Sequence, residues 1–113
     1  MEVKIKIILI NKDISFMGIG LIELLKKTDS MYSIRKAASD MGLSYPKALK
    51  IINRLEQALS RTIVERKRGG KGGGGAQLTP FGREFLAKYE NYREKVIEFA
   101  EKTFKEEFNS FEE

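Results

Sequence analysis

Apolar and polar positions alternate at the start of the chain. In MEVKIKIILI, Lys4 and Lys6 stand between Val3, Ile5 and Ile7, a period of two that predicts an N-terminal β-strand over residues 2–10. The run is too short for a signal peptide, and no small-residue cleavage site follows it. NKDIS reads as a turn. From Gly18 to about Thr28 the period becomes helical, with Ile19, Leu21, Ile22, Leu24 and Leu25 on one side, and Asp29 to Tyr32 breaks it. Ser33 can cap a short second helix whose apolar positions Ile34, Ala37, Ala38 and Met41 follow the i, i+3, i+4, i+7 rule. Gly42 stands where a helix end favours a left-handed residue. Ser44 and Pro46 open a third helix that runs to Leu59. TIVERK and AQLT are strand-like and flank a glycine tract. Thr79 and Pro80 open a last helix, from Phe81 towards Asn109, roughly 40 Å long.

The third helix carries the sharpest pattern. On a helical wheel Ala48, Ile52, Leu55 and Leu59 share one face, and Lys47, Lys50 and Arg54 cluster about 140° away. A solvated surface helix accounts for this when the helix is taken alone. Its neighbours add a spacing, Ala38-x3-Gly42-x5-Ala48, which is that of a helix-turn-helix: the small alanine permits close approach and the glycine a tight turn. In such a motif the second helix enters the DNA major groove. The residues so presented are Ser44, Tyr45, Lys47, Lys50, Asn53 and Arg54. Tyr45 serves equally well as packing against the turn between the helices or as a phosphate contact. Asn53 is either a base-reading residue or a polar residue facing water.

Composition narrows the chemistry. The 113 residues contain no cysteine and no histidine, which removes disulfides, thiol chemistry, histidine acid–base catalysis and structural zinc. Asp40 and Glu56 sit in no reaction motif and read as solvated helix charges, so we expect no enzyme, no metal and no cofactor. Residues 1–80 hold 15 lysines and arginines against 7 acids, and residues 81–113 hold 6 against 9, which together give the net +5. A basic body with a mildly acidic tail points to a polyanionic partner. Nothing approaches a membrane-spanning length, and the expected location is the cytoplasm.

Six of the seven residues from Gly69 to Gly75 are glycine. Gly70-x-Gly72-x-x-Gly75 formally matches a dinucleotide fingerprint, but Ala76-Gln77-Leu78 stands where a helix would have to open. A phosphate-binding P-loop fails because Gly72 follows Lys71. A flexible linker is the plain alternative. The tract lies between the strand-like segments Thr62–Arg66 and Gln77–Thr79, which makes it a hairpin tip with a basic base: Arg61, Arg66, Lys67, Arg68 and Lys71 against Glu65. A basic hairpin after a helix-turn-helix is a wing, and glycine lets its backbone approach phosphates closely.

With SIRKAASDMGLSYPKALKIINRLEQ and VERKRGGKGGGGAQLTPFG, residues 18 to about 92 resemble the N-terminal DNA-binding domain of the molybdate-responsive ModE-type repressors, relatives of the LysR-type winged helices. The resemblance implies that Ser44 and Tyr45 open a recognition helix and that Lys71 and its glycines form the wing. It also implies an N-terminal strand before the helices and a long helix after the wing that pairs two subunits. Full-length members carry C-terminal molybdate-binding domains. This chain ends at Glu113, so we expect it to lack one and do not carry molybdate sensing over.

The last helix repeats Phe85, Tyr89, Tyr92, Val96 and Phe99, with a second row of Ile97, Ala100, Phe104, Phe108 and Phe111. One small domain can cover it to about residue 92, and the rest would leave a large apolar patch. A homodimer through Tyr89, Tyr92, Val96, Phe99, Phe104 and Phe108 covers that patch and sets two recognition helices on successive half-sites. Docking to another regulatory protein is the alternative. A membrane-surface helix is disfavoured by the acidic polar face. The sequence therefore predicts a mainly α fold with a small β wing. Residues 1–79 would be a winged helix-turn-helix with its wing at 62–79, and residues 80–113 a long dimerisation helix. Its expected activity is sequence-specific binding of double-stranded DNA in transcriptional regulation.

Overall fold

The structure, a computed structural model, describes residues 1–16, 18–67 and 75–111. In chain order it has a hairpin of β1 (Leu9–Asn11) and β2 (Ile14–Phe16), then helices α1 (Ile19–Met31), α2 (Ile34–Asp40) and α3 (Tyr45–Leu59). A second hairpin, β3 (Val64–Lys67) and β4 (Gly75–Leu78), leads into α4 (Pro80–Phe108), which ends in a 3-10 turn at Asn109–Phe111. Both hairpins are antiparallel, and they form separate two-stranded sheets. This is a winged helix-turn-helix with a long C-terminal helix.

The caps read from the sequence are made. Ser33 Oγ accepts from the Lys36 amide at 3.0 Å, Ser44 Oγ from Lys47 at 3.2 Å and Thr79 Oγ1 from Gly82 at 2.9 Å. Gly42 takes φ +71° between α2 and α3, where any side chain would be strained. Ala37, Ala38 and Ala48 are buried where these helices meet. Leu24, Leu25, Ile52, Leu55 and Ile63 fill the centre of the core. Removing one such side chain costs about 2–5 kcal/mol.

Four boundaries depart from expectation. The N-terminal strand shrinks from 2–10 to β1: Lys12 and Asp13, both in the left-handed region, turn the chain tightly back, and β2 ends at Phe16 opposite Leu9, which leaves residues 2–8 without a strand to pair with. Asn11, Ile14 and Ser15, expected in the turn, are therefore strand residues. Residues 1–8 join no strand; Val3, Ile5 and Ile7 are half-buried, so their alternation comes from packing. Met1, Glu2 and Val3 lie beside Phe104 and Lys105 of α4. Second, α1 continues through Asp29 to Met31, because the Asp29 carboxylate is used elsewhere than in breaking the helix. Third, β3 begins at Val64 because Thr62 presents its carbonyl to the Thr79 hydroxyl at 2.8 Å. Fourth, β4 begins at Gly75, ahead of the expected AQLT segment, and ends at Leu78. On α3 the buried set is Ala48, Ile52, Leu55 and Ala58, with Leu59 half-buried.

The start of α4 belongs to the core. Gly82, Leu86 and Tyr89 are buried, so the core crosses the expected division at 79/80. A Cβ on Gly82 would stand 2.5 Å from the Ile63 carbonyl oxygen, which only a bare backbone can avoid. Beyond Tyr89 no residue of α4 is buried, and the molecule reaches 63 × 29 × 21 Å.

Candidate nucleic-acid interface

α3 is held by its apolar face, which leaves Lys47, Lys50, Asn53 and Arg54 exposed. Its only carboxylate, Glu56, is turned inward. Glu56 Oε2 accepts from the amides of Ile63 at 2.8 Å and Val64 at 3.1 Å, tying the end of the helix to the root of the wing. Asp40 is paired too, with Lys27 at 2.6 Å across α1 and α2. Asp40 is the solvated helix charge expected from the sequence, now with a lysine partner, whereas Glu56 is not. The outward face of α3 thus carries positive charge with no acid of its own.

The N-terminal hairpin docks on the same helix. The Asn11 amide donates to the Ala58 carbonyl at 2.6 Å, and Lys12 donates to the Ser60 hydroxyl. Arg54 donates from Nε to the Ser15 carbonyl at 2.7 Å and from Nη2 to the Ser15 hydroxyl at 3.3 Å. Arg54 therefore anchors β2, a role its place in the basic stripe did not reveal. Lys47 and Lys50 remain as the outward cations of that stripe.

In the wing, Arg66 pairs with Ala76 and Lys67 with Gly75. Arg66 Nη2 donates to Asn53 Oδ1 at 3.2 Å, linking wing and helix through two of the predicted residues. Ser44 uses its hydroxyl as the α3 cap. Tyr45 is half-buried, with the Arg35 guanidinium carbon 4.1 Å from its ring centroid. Arg35 was not foreseen; it lies outside the helix-turn-helix spacing and the basic stripe. Arg68 and Lys71 lie outside the described residues.

A carboxylate fixes the other edge of the wing. Asp29 Oδ1 accepts from the Leu78 amide at 3.0 Å and from Arg83 at 2.8 Å, so α1, β4 and α4 meet at one oxygen. Burial pushes the Asp29 carboxyl up, but the hydrogen bonds from Arg83 and Leu78 outweigh it and hold the pKa below the ordinary aspartate value. The Tyr32 carbonyl also accepts from the Ala76 amide at 2.9 Å.

Of the expected dimer residues, Tyr89 is corrected: it is buried in its own domain and leaves the interface set. Tyr92 and Phe99 are 53% and 68% exposed, and Phe108 is exposed as well. Val96 and Phe104 are half-buried, the latter's ring tilted against that of Phe108 at 5.1 Å between ring centroids. Among the described residues no group of acids could hold a metal ion, and no helix is long and apolar enough to cross a membrane.

Known proteins are similar to this chain. The family described as bacterial regulatory helix-turn-helix protein, lysR family, matches residues 19–83. The DNA-binding transcriptional dual regulator ModE of Escherichia coli (strain K12) is 44% identical over 69 residues, 61% of this chain and 26% of that protein. The molybdenum-pterin-binding protein MopB of Rhodobacter capsulatus is 38% identical over 73 residues, 65% of this chain and 27% of that protein. The chain thus spans about a quarter of the length of these relatives. Among solved structures, the crystal structure of the BenM_DBD/benA site 1 DNA complex matches with a TM-score of 0.55 and 22% identity, over 77% of this chain and 92% of that one. That likeness shows the fold.

Proposed function

The chain belongs to the lysR family of bacterial regulatory helix-turn-helix proteins, and from that premise we propose that it is a homodimeric, sequence-specific regulator that binds double-stranded DNA. The observation that carries this reading is the outward face of α3, where Lys47 and Lys50 are exposed and the one acid of the helix is turned away. Ser44 and Lys47 front the helix, Asn53 lies further along it, and the wing adds Arg66 and Lys67; the sequence assigns Arg68 and Lys71 to the same basic segment. In this reading the front of α3 enters the major groove while the wing neutralises phosphates. The functional division falls near Glu90 rather than at 79/80, since the first turns of α4 complete the DNA-binding core.

The test is selection of bound sequences from a random duplex pool at near-physiological salt. A recovered two-fold-symmetric motif supports a dimeric sequence reader. Recovery of no motif, with binding lost as salt rises, removes the sequence-specific reading and leaves only a basic surface. One observation favours a second reading: the exposed aromatic residues of distal α4 also suit a different regulatory protein. Sedimentation of the pure chain separates the two, because a monomer at all concentrations would remove the homodimer and favour that partner.

A further inference from the structure

Beside the first turn of α3 lies an open cleft of about 570 Å³, bounded by Ser33, Arg35, Tyr45, Arg66, Lys67 and Ala76. It draws on α2, α3 and both strands of the wing. Three of its lining residues are cations and none is a carboxylate. Glu65, the acid of β3, lies on a separate cleft with Tyr32 and Gln77, and Lys67 stands on the rim shared by the two. Like charges gathered without a counter-charge are unfavourable in the free chain and favour an incoming anion. The cleft is open at the surface, which suits the backbone of a polymer passing through it. Guanidinium groups match phosphate oxygens in a planar fork.

Tyr45 has its own place in this arrangement. The Arg35 guanidinium covers one face of the ring at 4.1 Å, so that face is closed to a base or sugar. The stack restricts a long flexible side chain before any ligand arrives.

We propose that this cleft seats one phosphodiester of the DNA backbone, with Arg35, Arg66 and Lys67 as its ligands and Tyr45 as the residue that positions Arg35. The proposal rests on the DNA-binding reading above. It places a phosphate contact on α2, outside the α3 stripe and the wing, and it gives Tyr45 an indirect role.

The experiment uses the full chain and a labelled duplex of mixed sequence, with affinity measured across a salt series. Arg35→Gln and Lys67→Gln should each flatten the slope of log affinity against log salt by about one, as loss of one phosphate contact does. Arg35→Lys should keep the slope, because the charge remains. Tyr45→Phe should bind like the parent. Tyr45→Leu should weaken binding several-fold, and adding it to Arg35→Gln should weaken binding little further. Thermal melts by circular dichroism identify any variant that does not fold, and the exposed Lys67 position then decides alone. Parent-like slopes in both Arg35→Gln and Lys67→Gln would overturn the cleft. Additive effects of Tyr45→Leu and Arg35→Gln would overturn the positioning role, as would a Tyr45→Phe variant as weak as Tyr45→Leu. A parent chain with no salt-dependent duplex binding would remove the DNA reading itself, and this proposal with it.

Discussion

α3 and the far part of α4 are both amphipathic helices, and they dispose of their apolar residues in opposite ways. Ala48, Ile52, Leu55 and Ala58 of α3 are wholly buried in their own domain, whereas beyond Tyr89 α4 buries nothing and leaves Tyr92, Phe99 and Phe108 exposed. The polar residues differ too. The outward side of α3 is basic, while residues 90–108 carry six glutamates against four lysines and arginines. One helix uses its apolar side to hold a charged side out; the other has an apolar side that its own chain covers only in part. The first pattern suits a polyanion, and the second is the one on which the proposed protein contact rests.

The contrast breaks most readily at its inner end. Leu55→Ala should cost about 3 kcal/mol of folding stability, the same at every protein concentration, read as a lowered Tm. A near-neutral result would mean that α3 is not held by its apolar face. The outer end should respond differently. Tyr92→Glu with Phe99→Glu should weaken self-association by roughly a hundredfold, about 2.7 kcal/mol, in sedimentation equilibrium. The helical circular dichroism of the domain should survive; a parent-like dimer would move the interface elsewhere on the molecule.

Glu56→Ala sharpens the comparison, because it tests whether α3 and the wing form one unit. It leaves two part-buried amides without their acceptor, and we expect a loss of about 2 kcal/mol in chemical denaturation. A loss near zero would show the wing root held without it. The smallest effect is expected at Asp29, where α1, β4 and α4 meet. Its folded pKa is lowered, so its contribution is present above the unfolded aspartate pKa and is lost as pH falls through the folded value. The parent should lose its advantage over Asp29→Asn in that acid range. Parallel stability curves of the two proteins across that range would count against the assignment.

Much of this was legible because it is local. Ser33, Ser44, Thr79 and Gly42 act within a few residues of themselves, and the alanines at the α2–α3 crossing follow from helical spacing. The missed features join distant parts of the chain. Asp29 looked like a helix breaker because its partners, Leu78 and Arg83, lie 49 and 54 residues away. Arg54 read as one of three equivalent cations until Ser15, 39 residues earlier, engaged it. Arg35 had no signal at all, since its relation to Tyr45 depends on the angle at which α2 meets α3. At the N-terminus the alternation was real and its cause was misassigned: period two marks a half-buried extended chain, whether strand or helix covers it.

Gly82 gives this molecule a fulcrum. With no side chain between the α4 backbone and the Ile63 carbonyl, the helix bears directly on the root of the wing. From that point about 40 Å of helix extends, so a tilt of roughly 5° moves its far end by roughly 3 Å. In reverse, several ångströms of travel at Phe108 reach the hairpin as a fraction of one. α4 thus has its short arm at the wing and its long arm towards Phe108.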